Sequence, residues 1–433
     1  MPSTTRTVNV GLIGLGTVGG GVARVIARHH DEYLSAYGID LRLKMASALE
    51  PERAAELGIA PEAFTTDWHD VVADPEIDIV IELIGGDHPA TEIFESAIAA
   101  GKHVVSANKA LLGRRIDYLG SLAAQAGVQI RCEAAAGGGI PIVNALEHAL
   151  VANGMLTIAG ILNGTTNYIL SRMASEGLDF DDVLADAQRL GYAEADPTAD
   201  VDGLDAAAKI AILASIAFNS RVTIDDVHAE GIRNITPLDL EIAKDMGYCV
   251  KLLAHAHRTE EGIDVRVHPT MLPLSHQLAT VNGVYNAIYV VGDAVGETMF
   301  FGEGAGSGPA ASAVMGDVLE VARHLQAGIP PFVGCTCTDK LPLVPMEELK
   351  TKYYIRFAVA DRSGVRAAMA GVFASHDVSV HSVIQRGKKD GNSVDITYVT
   401  HTAREKSVRA VLADIAKLDD VLREEPSVIR VED

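Results

Sequence analysis

A glycine-rich segment near the start of the chain constrains its fold more than any other feature. The segment GLGTVG at 14–19 follows a short apolar run at 8–13 and precedes apolar residues at helical spacing. In such a strand–turn–helix, Gly14 permits the tight turn, Gly16 lets the backbone approach a pyrophosphate, and Gly19 lets the helix pack close to the sheet. The segment predicts a dinucleotide-binding loop formed by Gly14, Gly16, Thr17, Val18 and Gly19.

The pattern that follows predicts a parallel sheet. Apolar runs at 41–46, 79–84, 103–106 and 129–132 alternate with segments that can form helices. Near-continuous apolar strands separated by helices are typical of a parallel sheet that is covered on both faces. We therefore predict an α/β fold with an N-terminal Rossmann-type parallel sheet.

A chain of 433 residues exceeds what one hydrophobic core usually holds, and its periodicity predicts three domains. The dinucleotide-binding domain spans 1–140 and is completed by an amphipathic helix at 305–327. An α+β domain spans 141–304. A proline-containing linker at 328–352 leads to a C-terminal βαββαβ domain at 353–433.

The charge and the cysteine content exclude several classes of partner. With 58 acidic and 36 basic residues the formal charge is -22, which repels phosphate backbones and anionic membranes. The sequence therefore predicts no nucleic-acid partner and no membrane association. Four scattered cysteines are too few for a disulfide framework, and no apolar stretch could cross a bilayer, so we expect a cytoplasmic protein.

Residues after the second predicted strand leave the choice between NAD and NADP open. An acidic residue there would bind the ribose of NAD, whereas an arginine would favour the additional phosphate of NADP. Glu50 and Arg53 both follow that strand, and each also fits a solvated surface charge.

Ser106 ends a predicted parallel strand, and Lys109 follows it closely. Because ligands of open α/β sheets bind at the carboxyl ends of the strands, both residues are predicted to lie near the cofactor. A surface lysine that opens the next helix is the alternative for Lys109.

The densest polar cluster begins with GYAEADP at 191–197 and continues to Asp205 and Lys209. Asp205 and Lys209 are four residues apart on a predicted helix, hence on one face. A lysine beside a carboxylate can transfer a proton while hydride moves to or from a nicotinamide. A surface ion pair is the alternative, but the apolar helix beyond Lys209 favours a buried site.

Three histidines raise the question of a metal site. His255 and His257 share one face of a predicted strand, and His268 lies farther along the chain. No third ligand has zinc-like spacing, so the sequence predicts no histidine metal site.

Several motifs together carry a family resemblance. Over roughly the first 325 residues, these motifs and their order along the chain resemble those of homoserine dehydrogenases. The segment at 191–209 is the most specific of them. The motifs are GLGTVG from Gly14, IELIGG from Ile81, SANKALL from Ser106, EAAAGGGIP from Glu133, NGTTNYIL from Asn163, GYAEADPTADVDGLDAAAK from Gly191 and GEGAGSGPAASAV from Gly302.

The resemblance implies an oxidoreductase that acts on a CH–OH group. The implied reaction is the reversible NAD(P)H-dependent reduction of L-aspartate 4-semialdehyde to L-homoserine, a step toward threonine and methionine. Lys209 would transfer the proton, while Glu194 and Asp205 would bind and orient the substrate. Tyr192 and Thr165 would line its pocket.

Further roles follow from the same resemblance. Lys109 would lie beside cofactor and substrate, and Gly191 and Gly306 near the nicotinamide. The family implies that the domain at 141–304 binds the substrate, carries the catalytic residues and mediates formation of a dimer or a higher homo-oligomer. It also implies a monovalent cation such as sodium, held largely by backbone carbonyl groups of Glu133, Ala136, Gly138 and Ile140.

The segment 353–433 resembles ACT domains in its βαββαβ order and in the turn DRSGV, where Asp361 and Gly364 precede the first helix. Such domains bind amino acids near that turn, which implies threonine as an effector. Ser363 stands where proline is frequent, so the effector stays open, and a dimerisation module that binds nothing is the alternative. We expect the monofunctional form, without a kinase region.

Two other functions fit parts of the sequence. A dehydrogenase acting on another amino-acid aldehyde would share the glycine loop but would not need Glu194, Asp205 and Lys209 together. A non-enzymatic sensor would keep the cofactor fold and the C-terminal domain, but it would have no need of Lys209.

Overall fold

The computed structural model describes residues 5–329, 337, 339–389 and 393–432. The chain forms two compact units, each assembled from three segments. The first comprises Met1–Leu162, Ala207–Val227 and Asn286–Leu341, and the second comprises Asn163–Ala206, His228–Tyr285 and Pro342–Asp433. In the predicted linker, residues 330–336 and 338 lie outside the described residues. The predicted domains are nearly continuous stretches of sequence, whereas each observed unit combines three segments, so the predicted domain limits stay a prediction.

A six-stranded parallel sheet organises the first unit, which confirms the predicted fold class. The strand order is β3-β2-β1-β4-β5-β6, so the chain reverses direction across the sheet between β1 and β4. The carboxyl ends of these two strands therefore flank the crevice where such sheets bind ligands. The strands are β1 (Arg6–Ile13), β2 (Ile39–Ser47), β3 (Phe64–Thr65), β4 (Ile79–Glu82), β5 (His103–Ser106) and β6 (Ile130–Arg131).

The first segment of this unit also contains helices α1 to α7. They are α1 (Thr17–Glu32), continued by a π-helical turn at Tyr33–Tyr37, and α2 (Pro51–Glu56), α3 (Trp68–Ala73), α4 (Ala90–Ala99), α5 (Lys109–Ala126), α6 (Glu133–Ala136) and α7 (Ile142–Asn144). A second π-helical turn at Ala145–Ala149 follows α7.

A late helix, α13 (Ser307–Ala327), packs against α1 in the first unit. A Cβ on Gly21 would lie 2.6 Å from the carbonyl oxygen of Ser307, so the two helices touch at a position that only glycine allows. Val314 and Val318 of α13 are buried in the same core as Val22 of α1. The amphipathic pattern at 305–327 predicts this packing onto the dinucleotide-binding fold.

Three antiparallel strands complete the first unit. β7 (Met155–Ile161) pairs with β11 (Tyr285–Gly292), whose other neighbour is the edge strand β12 (Gly296–Glu303). Helix α11 (Leu204–Ala217) is a single helix whose apolar face is buried.

The second unit contains a mixed sheet in the order β9-β10-β17-β13-β15-β14. Its strands are β8 (His228–Ala229), β9 (Tyr248–Arg258), β10 (Ile263–Pro273), β13 (Lys350–Ala360), β14 (Val380–Lys389), β15 (Ser393–Thr400), β16 (Ala403–Arg404) and β17 (Ser427–Val431). Its helices are α8 (Gly164–Glu176), α9 (Phe180–Arg189), α10 (Thr198–Val201), α12 (Pro237–Asp245), α14 (Val365–Ser375) and α15 (Glu405–Ala416).

The C-terminal part of this sheet confirms the predicted βαββαβ order. β13, α14, β14, β15, α15 and β17 follow one another, with only the two-residue β16 added. Phe373 stacks on Tyr398 at 4.7 Å between ring centroids, and Phe357 meets both rings edge-on. β17 pairs with β13 on one side and with β10 on the other, so the last strand of the chain is an internal strand.

Two further sequence expectations bear on the compartment. Cys132 and Cys249 are free thiols, whereas Cys337 is disulfide-bonded. The sequence analysis did not predict this disulfide. The reducing compartment therefore stays an expectation. Among the helices that the structure describes, none has both the length and the apolar character needed to span a membrane.

Candidate active site

The predicted dinucleotide loop has the geometry that its glycines indicate. Gly14 has φ of +100°, and a Cβ there would lie 2.8 Å from the backbone of Leu83. A Cβ on Gly19 would lie 1.9 Å from the carbonyl oxygen of Gly14, so the helix can approach the strand only with glycine at this position. At Gly16 a Cβ would meet nothing within 4 Å, which leaves open space at the N-terminus of α1.

Open space at a helix N-terminus suits a phosphate group. Thr17 begins α1, and it is exposed, as is Gly16. Unpaired backbone N–H groups and the helix dipole both favour an anion at such an end. The local backbone therefore offers what a pyrophosphate needs despite the negative charge of the whole chain.

A second glycine-rich segment lies against this loop. Gly306 has φ of +120° and precedes α13, and the hydroxyl of the next residue, Ser307, donates to the carbonyl oxygen of Thr17 at 2.8 Å. The structure thus brings Gly306 to the edge of the dinucleotide loop, while its predicted place near the nicotinamide stays a prediction.

The two candidates for cofactor preference both lie on the surface after β2. Arg53 Nη1 forms an ion pair with Glu56 Oε2 at 2.6 Å, within one helical turn. Glu50 precedes α2 and its side chain makes no capping hydrogen bond. Neither observation selects between NAD and NADP.

Glu82 organises the carboxyl ends of β4 and β5, a role that the sequence analysis missed. This fully buried carboxylate accepts a hydrogen bond from Ser106 Oγ at 2.7 Å and from the backbone amide of Ile84 at 2.9 Å. Asn108 caps α5 and donates to the carbonyl oxygen of Gly86 at 2.7 Å. A charged residue that ends an otherwise apolar strand was the available signal.

This network fixes the loop that carries Ser106 and Lys109. Ser106 is fully buried, and Lys109 is the first residue of α5 and is partly exposed. The structure therefore places both residues at the sheet edge that carries the dinucleotide loop.

Glu133, the first residue of the predicted cation loop, is buried and bonded to the backbone. Its carboxylate accepts from the amides of Val143 at 2.9 Å and Asn144 at 2.7 Å, and its own amide donates to Asp317 Oδ2 at 2.8 Å. Burial raises the pKa of Glu133 to about 7, although those backbone hydrogen bonds oppose the shift.

Glycines hold the rest of this loop in place. Gly138 has φ of +60°, and a Cβ there would lie 2.1 Å from the carbonyl oxygen of Gly304. The amide of Ile142 donates to the carbonyl oxygen of Ile140 at 2.8 Å, while Ala136 ends the short helix α6. The loop therefore turns tightly, and backbone amides of Val143 and Asn144 hold the Glu133 carboxylate.

Within the second unit, Asn163 joins the predicted Asp205 to a neighbouring carboxylate, Asp200. Its side-chain amide donates to Asp200 Oδ1 at 2.6 Å and to Asp205 Oδ2 at 2.9 Å, while its side-chain oxygen caps α8. Asp205 is buried and Asp200 is partly buried. The sequence analysis did not single out Asn163, although an asparagine directly before a helical pattern is a capping signal.

The GYAEADP segment lies close to the start of α8. Thr165 Oγ1 donates to the carbonyl oxygen of Tyr192 at 2.7 Å, so two of the predicted pocket residues meet. Gln188 Nε2 donates to the carbonyl oxygen of Glu194 at 3.0 Å, which leaves the exposed carboxylate of Glu194 outside this bond. Gly191 has φ of +78° at the start of the segment.

Lys209 is buried within the first unit. Its Nζ donates to the carbonyl oxygen of Leu162 at 2.7 Å. Lys209 follows Asp205 by one turn of α11, as the i,i+4 spacing predicts. Both residues are buried, so the alternative of an exposed surface ion pair is wrong.

The parallel sheet with its glycine loop, joined to a C-terminal ACT domain, defines an oxidoreductase with an NAD-binding domain. Family models match three parts of the chain: "Homoserine dehydrogenase, NAD binding domain" at 14–133, "Homoserine dehydrogenase" at 141–319 and "ACT domain" at 353–420. The chain belongs to the homoserine dehydrogenase family.

Full-length relatives agree with this assignment. The homoserine dehydrogenase of Synechocystis sp. is 46% identical over 434 residues, which cover 98% of this chain and 99% of the relative. That of Neisseria gonorrhoeae is 41% identical and covers 99% of each chain. A solved homoserine dehydrogenase from Thiobacillus denitrificans is 44% identical, with a TM-score of 0.93 over 99% of each chain.

Proposed function

We propose that this chain catalyses the reversible NAD(P)H-dependent reduction of L-aspartate 4-semialdehyde to L-homoserine, a step toward threonine and methionine. The observation that carries the proposal is the buried Lys209, held by the carbonyl oxygen of Leu162 and one helical turn from the buried Asp205. A buried amine and a buried carboxylate on one helix face fit proton transfer and substrate orientation.

Lys209 Nζ gives its proton to the aldehyde oxygen as hydride adds to the aldehyde carbon, and takes it back in the reverse reaction. When bound, the nicotinamide cofactor donates or accepts that hydride. Asp205 and Glu194 bind the amino group of the substrate, while Thr165 and Tyr192 line the pocket. Asn163 fixes the orientation of Asp205 through its amide, at 2.9 Å from Oδ2.

The cofactor fits the glycine loop because the space beside Gly16 is open at a helix N-terminus. We assign its binding to residues of the loop, of the β5 edge and of the two later glycines. These are Gly14, Gly16, Thr17, Val18, Gly19, Ser106, Lys109, Gly191 and Gly306. Lys109 also reaches the substrate, where a cation is suited to a carboxylate.

A monovalent cation such as sodium fits the loop at 133–140. We assign its ligands to the backbone carbonyl groups of Glu133, Ala136, Gly138 and Ile140. The carboxylate of Glu133 accepts two backbone amides of its own segment, so the assignment uses the main-chain oxygens rather than this carboxylate.

The ACT domain is assigned the regulation of this activity by threonine. The turn that contains Asp361 leads to Gly364, whose φ of +90° permits the entry to α14. The N-terminus of α14 there suits the carboxylate of an amino acid. A domain that only mediates dimerisation is the alternative.

We also assign a homodimer or a higher homo-oligomer, in a cytoplasmic location. Met299 and Phe301 on the edge strand β12 are 39% and 55% exposed, and Leu156 on β7 is 44% exposed. Apolar side chains on an edge strand favour burial against a second copy. The predicted domains at 1–140 (completed by 305–327), 141–304 and 353–433, with the linker at 328–352, keep their assigned roles.

The test follows NADH and NADPH absorbance while the purified protein is mixed with aspartate 4-semialdehyde, with and without threonine. Rapid oxidation of one cofactor supports the reaction and reveals the preference that Glu50 and Arg53 leave open. Cofactor binding without oxidation would contradict it and would favour another aldehyde or a sensor. Inhibition by threonine supports the effector, and unchanged rates favour a dimerisation role.

A further inference from the structure

Three metal-ligating side chains meet in the second unit, away from every residue assigned above. His255 and His257 lie two residues apart on β9 and therefore on one face of that strand, and Glu432 directly follows β17. One ligand atom from each side chain lies within 4.8 Å of the other two. The sequence analysis predicted no metal site here because the third ligand comes from the opposite end of the chain.

Among these three residues, His255 has a buried ring nitrogen that lacks a hydrogen-bond partner. Its ring is fully buried, and its Nδ1 makes no hydrogen bond, although Glu432 Oε1 is 3.3 Å away. A buried polar atom without a partner is rare in folded proteins, and a bound ion is one of the few explanations. The unpaired nitrogen is directed at the carboxylate that completes the cluster.

The spacing fits a tetrahedral ion. Two ligands about 2.0 to 2.1 Å from zinc, at a tetrahedral angle, lie about 3.3 Å apart, which is the separation of His255 Nδ1 and Glu432 Oε1. The rings of His255 and His257 stack with centroids 5.7 Å apart, and His257 is only partly buried. The ligand nitrogen of His257 lies within 4.8 Å of the other two ligand atoms, so binding of one ion requires it to move closer to them.

The opposite nitrogen of His255 has an outer contact of the kind that metal-binding histidines make. Its Nε2 lies 3.5 Å from Thr270 Oγ1 on the neighbouring strand β10. A hydroxyl at this position fixes the ring and leaves Nδ1 to bind the metal. Glu432 is fixed as well, because its backbone amide donates to the carbonyl oxygen of Met271 on β10 at 3.0 Å.

Nearby arginines are paired with their own carboxylates, which reduces their repulsion of a cation. Arg266 forms an ion pair with Asp264, and Arg430 binds both Glu230 at 2.6 Å and Glu405 at 2.7 Å.

We propose that His255, His257 and Glu432 bind one divalent transition-metal ion of the zinc class, with water completing the coordination. The ion joins the residue after the last ACT strand, β17, to strand β9, which lies within the segment that matches the homoserine dehydrogenase catalytic model. Its role is structural: it anchors the C-terminal end of the chain. The partly exposed His257 provides the entry path for the ion.

The experiment titrates the full-length, chelator-treated protein with zinc chloride by calorimetry and with cobalt chloride by visible absorption. We expect one high-affinity ion per chain and the absorption bands of tetrahedral cobalt. His257→Ala and Glu432→Gln should each weaken binding at least about 100-fold, since loss of an outer-shell partner alone costs about 10- to 100-fold.

His376→Ala is the matched control. His376 Nε2 pairs with Asp414 Oδ2 at 2.8 Å, and this histidine–carboxylate pair belongs to no three-ligand group among the described residues, so the variant should bind zinc like the wild type. Absence of zinc binding in the wild type, or binding that both ligand variants keep, would overturn the proposal. Circular dichroism checks folding, and the conservative Glu432→Gln decides the matter if His257→Ala unfolds.

Hydrogen exchange separates this site from weak surface binding. If the ion anchors the C-terminal end, zinc should slow amide exchange in Ser427–Val431 of the wild type and leave the Glu432→Gln variant unchanged. Equal protection in both proteins would also overturn the proposal.

Discussion

Lys209 Nζ donates a hydrogen bond to the carbonyl oxygen of Leu162 at 2.7 Å. This hydrogen bond holds the amine at a defined position beside the end of β7. Lys209 is only 7% exposed, so its position rather than solvent determines which atom it can protonate. This relationship supports its assignment as the proton-transfer residue.

Replacing Lys209 with alanine should lower kcat by about 100- to 10,000-fold, the usual range for loss of a general acid. Affinity for NADH or NADPH should change little, because the dinucleotide loop belongs to other elements. Steady-state kinetics and fluorescence titration of the cofactor measure the two effects. Lys244→Ala removes an exposed lysine and should match the wild type; a Lys209→Ala enzyme with near-normal kcat would contradict the assignment.

Asn163→Asp should raise the KM for the aldehyde about tenfold or more while the cofactor KM stays unchanged. Aspartate keeps an oxygen to cap α8, but it loses the amide that donates to Asp200 and Asp205. The new carboxylate instead repels both neighbours. An unchanged thermal melt would show that the cap survives, and an unchanged KM would show that Asn163 does not position Asp205.

Two alanine substitutions in the glycine loop should separate cofactor binding from folding. Gly16→Ala should keep the melting temperature, because its Cβ meets nothing within 4 Å of the chain, yet weaken cofactor binding about tenfold or more by blocking the pyrophosphate. Gly19→Ala should destabilise the fold, because its Cβ would lie 1.9 Å from the carbonyl oxygen of Gly14. Normal cofactor affinity in Gly16→Ala would place the phosphates elsewhere.

Arg356→Met should destabilise the protein by about 3 to 5 kcal/mol near pH 7, because it leaves the buried carboxylate of Asp239 without its cationic partner. Arg356 Nε lies 2.6 Å from Asp239 Oδ1, and both side chains are buried. Chemical denaturation measures the difference. Arg423→Ala, which breaks the exposed pair with Asp420, should cost less than about 1 kcal/mol.

The same pair predicts how this difference depends on pH. Burial raises the pKa of Asp239, but Arg356 outweighs that effect and the net pKa is lowered. Stability from the pair is therefore present above the ordinary carboxyl pKa of about 3.9 and is lost as the pH falls further. The difference in unfolding free energy between the wild type and Arg356→Met should therefore become smaller in acid. A difference that does not change with pH would show that the ion pair is not its source.

Asp361→Ala should abolish inhibition by threonine while leaving the uninhibited rate within about twofold of the wild type. Asp361 is exposed at the turn before α14 and lies in none of the assigned catalytic positions. Initial rates over a threonine series measure the effect, with the exposed Glu425→Ala as the control. Deleting the whole ACT domain is a poorer test, because β17 also pairs with β10 and its loss would expose that strand.

Local sequence patterns predicted much of the dinucleotide-binding fold and the ACT domain. The loop at Gly14–Gly19, the strand ending at Ser106 and the Asp205–Lys209 spacing each depend on residues close in sequence, where strand and helix periods are informative. The π-helical turn at Ala145–Ala149 escaped prediction because its apolar pattern also fits an α-helix.

The sequence by itself determined the elements, the glycine turns and the family, because these follow from short-range sterics and from motifs that read in order along the chain. Tertiary structure decided which distant groups meet: Asn163 with Asp205, Glu133 with Asp317, and His255 with Glu432. Such pairs form only when strands and helices pack together, and hydrophobic periodicity does not show which distant residue a side chain will contact. Burial, which sets the pKa of Glu133 and leaves His255 Nδ1 unpaired, likewise arises only once the chain has folded.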